Sequence, residues 1–288
     1  MSEFKLEHDY KVGILACGTM GTAVLNAIVE GVSDRQRSSD SGPIPDSFCA
    51  AVNSRSSADR LQKLYGDKVQ IIVGDNASLV AQSDVIVLGC KPYMASKILG
   101  DIDAEKFKNK VVISLLAGKT IDELFELTGR NAIVVRAMTN TPSKIGAGMT
   151  VVSLPANATD SVRSAIEWIF NRTGRCLFLD EKLQDVSAAL CGSGPAFLYL
   201  VMEALCDGAV RMGMPYNIAQ ECAAQVLVGA GQMVLEGGHP AVLRNSVCTP
   251  GGTTIGGLLV MEDNKVRSAV ARAVEEATNI ATKLGQKK

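Results

Sequence analysis

Histidine is nearly absent from this chain, and its scarcity limits the chemistry that the side chains can perform. The 288 residues include two histidines, His8 in a polar N-terminal segment and His239 directly before Pro240. We expect His239 to lie at a turn or at the start of a helix. No pair of carboxylates stands at a spacing that suggests acid–base work. The sequence therefore gives no sign of catalysis by histidine or by paired carboxylates.

Cysteine pairs at a metal-binding spacing are missing as well. None of the eight cysteines belongs to a Cys-x-x-Cys motif, and most lie inside apolar runs. This pattern argues against a zinc site and against a disulfide framework, and it indicates a reducing compartment. We accordingly predict that the protein binds no metal. The cysteines are Cys17, Cys49, Cys90, Cys176, Cys191, Cys206, Cys222 and Cys248.

An excess of charge of either sign is also lacking. The chain carries 29 basic and 30 acidic residues, a formal net charge of −1, and no basic patch. Nucleic-acid binding is therefore not expected. The first ten residues mix acids and bases and have neither an apolar signal core nor an arginine-rich presequence, so we expect a cytoplasmic protein.

Uninterrupted apolar runs of membrane-spanning length do not occur. The longest apolar stretch, residues 188–210, is broken by Ser193, Pro195, Glu203 and Asp207. A buried helix is a better reading of this stretch than a membrane span. We predict no association with a membrane.

Short apolar runs alternating with helical patterns are what the first part of the chain does contain. This alternation predicts a parallel sheet covered by helices. A polar stretch from Ser33 to Asp46 predicts a surface loop. The strand signal disappears after Leu179, so we divide the chain into a nucleotide-binding α/β domain, residues 1–179, and an all-α domain, residues 180–288. The predicted strands lie at residues 12–15, 48–52, 71–73, 85–88, 111–115 and 132–135.

A glycine-rich turn joins the first predicted strand to the first helix. Gly18 would let the backbone reach a pyrophosphate at the helix N-terminus, and Gly21 would let helix and strand pack closely. Ala16 replaces the first glycine of the usual dinucleotide pattern. A tight turn without a ligand is the alternative at this position.

The second strand is followed by residues 53–56, Asn-Ser-Arg-Ser, where an NAD-preferring site usually carries an acidic residue. Arg55 with hydroxyl neighbours suits a 2′-phosphate, which favours NADPH and leaves NADH as the alternative cofactor. A polar loop with a solvated arginine would explain the same residues.

Further polar clusters follow later strands, where ligands of open α/β folds bind. Lys91 follows the fourth strand and could meet the cofactor or a substrate carboxylate; a surface lysine is the alternative. Asn140, after the sixth strand, is a candidate for the nicotinamide carboxamide, although a capped turn before Pro142 is an adequate structural account.

The loop at residues 248–255 separates two helical patterns in the all-α part. Adjacent glycines and hydroxyls, followed by a helix that resumes near Thr253, suit a small carboxylate. The alternative is a simple glycine turn. The surrounding helices are rich in Ala, Val, Leu and Met, and their broad apolar surface predicts a homodimer at least, with assembly into a higher oligomer left open.

These motifs resemble those of pyrroline-5-carboxylate reductases nearly end to end. The similarity rests on Lys91-Pro92, on residues 138–142, on residues 192–196 and on residues 250–254. It implies a Rossmann domain, a helical domain that interlocks with a twofold mate, and an active site built across that dimer interface. The replacement at Ala16 and the form Cys248-Thr249-Pro250 depart mildly from the family pattern.

The resemblance also implies the last step of proline synthesis, a hydride transfer from NADPH to the C=N bond of 1-pyrroline-5-carboxylate. Thr254 is then the candidate catalytic residue, through a hydrogen bond to the ring nitrogen. The implied substrate-binding residues are Ser246, Gly251, Gly252, Thr253 and Thr254. The implied cofactor-binding residues are Leu15, Ala16, Cys17, Gly18, Thr19, Met20, Ser54, Arg55, Asn76, Gly89, Cys90, Lys91, Pro92, Leu116, Ala117 and Gly118. Asn140, the candidate for the nicotinamide carboxamide, is added to this set.

Two other functions fit parts of the sequence. A β-hydroxyacid-type reductase also joins a Rossmann domain to helices but needs a lysine in the interdomain helix, and Lys144 and Lys182 lack the expected neighbouring motif. A non-catalytic NADP-binding sensor would keep the fold and bind the nucleotide without turnover.

Overall fold

The computed structural model describes residues 4–33 and 42–286. Within it the chain forms two compact units, the first comprising the described residues up to Gly192 together with those from Thr278, and the second comprising residues from Ser193 to Ala277. The predicted boundary at residues 179 and 180 lies earlier in the chain than this division. Most of the loop predicted from Ser33 to Asp46 falls outside the described residues, and a strand already begins at Pro45.

The first unit is built on one eight-stranded sheet of order β3-β2-β1-β4-β5-β6-β7-β8. The strands from β1 to β6 are parallel, as predicted; β7 runs antiparallel to β6, and β8 is parallel to β7. The last two strands were not predicted. The strands are β1 (Tyr10–Leu15), β2 (Pro45–Val52), β3 (Gln70–Val73), β4 (Val85–Leu88), β5 (Val111–Ser114), β6 (Ile133–Met138), β7 (Gly148–Ser153) and β8 (Gly174–Phe178).

Helices cover both faces of this sheet. The central strands β4 and β5 are buried along their whole length, which explains why they read as continuous apolar runs. One core cluster contains Trp168 and Phe170 from α6, and the other contains Phe107 on the opposite face. The helices up to Ser187 are α1 (Thr19–Ser33), α2 (Arg55–Tyr65), α3 (Asn76–Gln82), α4 (Ala95–Gly100), α5 (Ile121–Leu127), α6 (Asp160–Asn171) and α7 (Gln184–Ser187).

The second unit is helical, and α12 continues from it into the first unit. Its buried apolar cluster holds Cys206, Ala219 and Ala223, whereas larger side chains such as Leu200 and Val226 are exposed. So small a core within so apolar a unit predicts that its surface is covered by another chain. The helices are α8 (Gly194–Arg211), α9 (Tyr216–Leu235), α10 (Pro240–Ser246), α11 (Thr253–Asp263) and α12 (Val266–Gln286).

The apolar stretch at residues 188–210 differs from expectation. In the described part of the chain, the helical segment Glu181–Arg211 is long and apolar enough to cross a membrane by length and composition, and 11% of its most apolar window is buried. The prediction of a buried helix is therefore wrong for the single chain. The physical reason is that the apolar face of α8 has too few partners within its own unit.

Pro195 lies in the first turn of α8, where its missing N–H costs no intrahelical hydrogen bond. The prediction that His239 lies at a turn or at the start of a helix is confirmed. His239 caps α10, where its Nδ1 accepts a hydrogen bond from Ala241 N at 3.2 Å.

Candidate cofactor and substrate sites

The turn after β1 forms the centre of the candidate cofactor site. Gly18 N donates to Ala16 O at 2.6 Å, and Thr22 N donates to Gly18 O at 2.8 Å, so α1 begins directly after Gly18. The first N–H groups of a helix lack intrahelical partners and attract anions. This arrangement is the one that the predicted pyrophosphate site requires.

Ala16 adopts the backbone conformation that glycine usually supplies at this turn. Its φ is 54°, in the left-handed region that is unfavourable for a residue with a Cβ. The replacement of the first glycine therefore leaves the turn in place, at a cost in backbone strain of about 1 kcal/mol.

The two glycines of the turn, Gly18 and Gly21, occupy their positions for different reasons. A Cβ on Gly21 would lie 2.9 Å from Ile14 Cγ2, so Gly21 is required for close packing of α1 on β1. A Cβ on Gly18 would meet nothing of the chain nearer than Ala16 O at 3.8 Å. Neither packing nor backbone conformation explains Gly18, which leaves the predicted approach of a ligand phosphate as its expected reason.

Cys17 links the turn to β2 by a backbone hydrogen bond. Its N–H donates to Ala51 O at 3.1 Å, and its carbonyl accepts from the Arg60 guanidinium at 3.5 Å. Burial raises the pKa of the Cys17 thiol, an effect that the Thr22 hydroxyl and the Arg60 charge partly offset. The thiol is therefore uncharged at neutral pH and does not repel a bound phosphate.

Ser54 and Arg55 stand at the N-terminus of α2, after β2. Ser54 is the N-cap, and its Oγ accepts from Ser57 N at 3.2 Å and donates to Ser57 Oγ at 2.9 Å. Arg55 follows as an exposed residue in the first turn. Hydroxyl groups, a helix N-terminus and a guanidinium thus meet at one strand end, as a phosphate site requires.

The turn after β4 lies beside the glycine-rich turn because β4 pairs with β1, and the turn after β5 follows along the same edge because β5 pairs with β4. Gly89 N donates to Leu15 O at 2.9 Å, and a Cβ on Gly89 would stand 3.1 Å from Ala16 O. Burial raises the pKa of Cys90, and Lys91 is exposed. Leu116 is buried after β5.

Asn76 and Asn140 are placed differently from these residues. Asn76 is the first residue of α3, whose N-cap is Asp75. Asn140 is buried, donates from Nδ2 to Cys191 O at 3.1 Å and accepts at Oδ1 from Met149 N at 3.0 Å. Its amide is engaged within the fold, which favours a structural role over contact with nicotinamide.

The predicted substrate residues lie in the second unit, around the N-terminus of α11. Gly251 has a φ of 68°, and Gly252 is the N-cap, without a side-chain capping hydrogen bond. Thr253 and Thr254 form the first turn of the helix, as predicted. Ser246 ends α10 and donates from Oγ to Leu243 O at 2.8 Å, so its hydroxyl is engaged locally.

Two arginine side chains that hold these turns were not predicted from the sequence. Arg60 donates to the carbonyl of Cys17, and Arg136 forms ion pairs with Glu181 and Asp185. Their partners lie 43 to 49 residues away along the chain, and no local pattern marks them. Among the described residues, no group of three or more His, Cys, Asp or Glu is arranged to hold a metal.

The fold and the glycine-rich turn define a dinucleotide-binding protein of the Rossmann type. A family profile for NADP oxidoreductases, coenzyme F420-dependent, matches residues 11–118, and a profile for pyrroline-5-carboxylate reductase dimerisation matches residues 181–284. The chain is 45% identical over 277 residues to a pyrroline-5-carboxylate reductase of Schizosaccharomyces pombe, covering 95% of this chain and 98% of that protein. The chain belongs to the pyrroline-5-carboxylate reductase family.

Solved structures agree with this assignment. The pyrroline carboxylate reductase of Plasmodium falciparum with NADP bound superposes with a TM-score of 0.82 at 26% identity, over 97% of this chain and 100% of that one. The enzyme of Coxiella burnetii superposes with a TM-score of 0.84 at 27% identity, over 96% and 99%. The β-hydroxyacid-type reading is therefore not supported, and Lys182 forms an exposed ion pair with Asp180.

Proposed function

We propose that the protein reduces the C=N bond of 1-pyrroline-5-carboxylate with NADPH and releases L-proline, the final step of proline biosynthesis. The observation that carries this proposal is the similarity to pyrroline-5-carboxylate reductases, which extends over both the dinucleotide domain and the helical domain. The substrate is accordingly a small molecule.

The preference for NADPH over NADH is supported by the second strand end. Ser54, Arg55 and the N-terminus of α2 offer hydroxyl and guanidinium donors where an NAD-specific site would present a carboxylate. The pyrophosphate would be held by the first turn of α1 beside Gly18, and the turns after β4 and β5 would line the nicotinamide half, including Lys91 and Gly118.

The substrate carboxylate would be held by the N-terminus of α11. The N–H groups around Gly252 and Thr253 are free of side-chain caps, and the helix adds favourable potential for an anion. Thr254 lies one residue further into the same turn. Its hydroxyl would hydrogen-bond the ring nitrogen of the substrate.

Little further chemistry is required of the protein. When bound, reduced nicotinamide would supply the hydride for C5 of the imine, whose ring nitrogen would already carry a proton taken from solvent. A protonated cyclic imine is already electrophilic, so the residues act mainly by orienting C5 and by excluding water. This matches a sequence that has two histidines.

A homodimer with the cytoplasm as its compartment completes the proposal. The dimerisation domain and the exposed apolar side chains of α8 and α9 support association of two chains. Eight free cysteines support a reducing environment. We propose no nucleic-acid partner and no membrane association, and we leave assembly of dimers into a larger oligomer open.

The activity is tested by following oxidation of NADPH with purified protein and DL-1-pyrroline-5-carboxylate. The assay is repeated with NADH and, as a control, with a simple 2-oxoacid in place of the imine. We expect imine-dependent oxidation that is faster with NADPH at low cofactor concentration. Tight NADPH binding without turnover would replace this function with that of a nucleotide sensor.

A further inference from the structure

The C-terminal turns of α12 pack directly on the turn after β5. A Cβ on Gly118 would lie 2.9 Å from Gly285 N, and a Cβ on Gly285 would lie 2.9 Å from Gly118 O. The two backbones therefore touch, and neither position has room for a side chain. Gly118 also has a φ of 73°, which a residue with a Cβ adopts at a cost.

A second contact holds α12 one turn earlier. Thr282 Oγ1 donates to Asp185 Oδ2 at 3.0 Å, and the other oxygen of Asp185 accepts from Arg136 Nη2 at 3.0 Å. The side chain of Arg136 is 9% exposed, so its charge is largely removed from water and depends on these carboxylates. Thr282 is thereby fixed to the sheet through β6.

The same arginine also fixes the far end of the turn after β5. Arg136 Nη1 lies 3.4 Å from Glu181 Oε1, and this oxygen accepts from Ile121 N at 2.8 Å. Ile121 is the first residue of α5, so the segment at residues 115–120 is held at its end by Glu181 and at Gly118 by Gly285. Glu181 pairs with Arg136 directly, and α12, which carries Gly285, is linked to Arg136 through Thr282 and Asp185.

We propose that the last turns of α12, anchored by Thr282 to Asp185 and Arg136, position the turn after β5 for the nicotinamide half of the cofactor. Thr282 and Gly285 are then positioning residues that touch neither cofactor nor substrate. The inference rests on the proposed function in one respect, namely that Leu116, Ala117 and Gly118 contact the cofactor.

Binding measurements without imine test this role. Thr282→Val removes the hydroxyl with little change in shape, Thr282→Ser keeps it, and Gly285→Ala places a methyl group against Gly118. The exposed Lys283 lies between these residues, so Lys283→Ala is the matched control. The probes are NADPH, NADH and 2′,5′-ADP, the last of which carries the adenosine half without nicotinamide.

We expect Thr282→Val and Gly285→Ala to weaken NADPH and NADH alike, by about fivefold, because the first loses one hydrogen bond and the second displaces the turn at Gly118 with a methyl group. Affinity for 2′,5′-ADP should stay at the wild-type value, and Thr282→Ser and Lys283→Ala should bind all three probes normally. The KM for NADPH should rise with the Kd, while the KM for the imine stays unchanged.

Other outcomes would overturn the inference. Unchanged NADPH affinity in the variants would show that α12 only packs there, and parallel losses for NADPH and 2′,5′-ADP would indicate general damage to the fold. If Gly285→Ala does not fold, the comparison of Thr282→Val with Thr282→Ser decides. Failure of the proposed function is separate, because wild-type protein would then bind NADPH without reducing the imine.

Discussion

Ala16 shows at the scale of a single residue how a motif can vary and keep its geometry. The turn after β1 needs a left-handed residue there, and Ala16 adopts that conformation with a φ of 54°. The hydrogen bonds of Cys17 and Gly18 hold the two residues that follow Ala16 in place. A departure from the consensus thus changes the energy of the turn and not its shape.

Replacement of Ala16 by glycine should therefore stabilise the protein. We expect a gain of about 0.5–1 kcal/mol in the free energy of unfolding, because strain is relieved at a positive φ, with NADPH affinity unchanged. Ala27→Gly in the middle of α1 is the matched control and should lose about 0.5–1 kcal/mol. Chemical denaturation measures both, and equal losses in the two variants would contradict the strain at Ala16.

We propose that Arg55 decides the preference for NADPH over NADH. Arg55→Ala should weaken NADPH by about tenfold and leave NADH nearly unchanged, because only NADPH carries the 2′-phosphate. Lys63→Ala removes the same charge from the other end of α2 and should change neither affinity. Equal weakening of both cofactors by Arg55→Ala would rule out the phosphate contact.

Thr254 is the residue on which the reaction is expected to depend most. Thr254→Ala should lower kcat/KM for the imine by about ten- to a hundredfold, the effect of one lost transition-state hydrogen bond of about 1.5–3 kcal/mol. NADPH affinity should remain unchanged, and Thr254→Ser should keep most of the activity. Wild-type kinetics in Thr254→Ala would remove this residue from the mechanism.

At the scale of elements, the burial of a strand decides whether it can be predicted from local sequence. Strands β4 and β5 are buried on both faces, so they appear as apolar runs that sequence reasoning finds. Strand β8 alternates between half-buried and exposed residues at the end of the sheet, and it was missed. The turn residues were predicted because each follows a strand directly.

Long-range contacts could not be predicted in the same way. The hydrogen bond of Asn140 to Cys191 and that of Asp185 to Thr282 join residues far apart in sequence, and single residue types carry no periodic signal. The exposure of α8 was also misjudged, because an apolar pattern indicates burial but not whether the partner belongs to the same chain.

Close packing of α1 on β1 gives a prediction at this scale. Gly21→Ala would bring a Cβ to 2.9 Å from the buried Ile14 Cγ2, so we expect a net loss of about 1–2 kcal/mol in the free energy of unfolding. Gly100→Ala, at the exposed end of α4 where a Cβ meets nothing, should be neutral or slightly stabilising. Similar thermal melting curves for the two variants would contradict the packing role of Gly21.

At the scale of the whole molecule, the exposed apolar helices explain why the family carries a dimerisation domain. Leu200 in α8 is 68% exposed and Val226 in α9 is 63% exposed in the single chain. Burial of apolar area is the main favourable term in protein association, so these surfaces favour contact with a second chain.

A charge on this surface should therefore dissociate the assembly. We expect Leu200→Glu to shift the protein from a species of at least two chains to monomers, measured by analytical ultracentrifugation over a range of concentrations. Leu64→Glu, a similarly exposed leucine of α2 outside the dimerisation domain, is the control and should associate as wild type. A monomeric wild-type protein would contradict the proposed dimer.

Transfer of a labelled hydride is the most direct test that the protein reduces the C=N bond of the imine with NADPH. Protein, imine and NADPH deuterated at C4 of the nicotinamide, on the face that donates, are incubated, and the product is examined by mass spectrometry and NMR. We expect L-proline with one deuterium at C5. Oxidation of the cofactor without labelled proline, or proline that carries no deuterium, would contradict hydride transfer to the C=N bond.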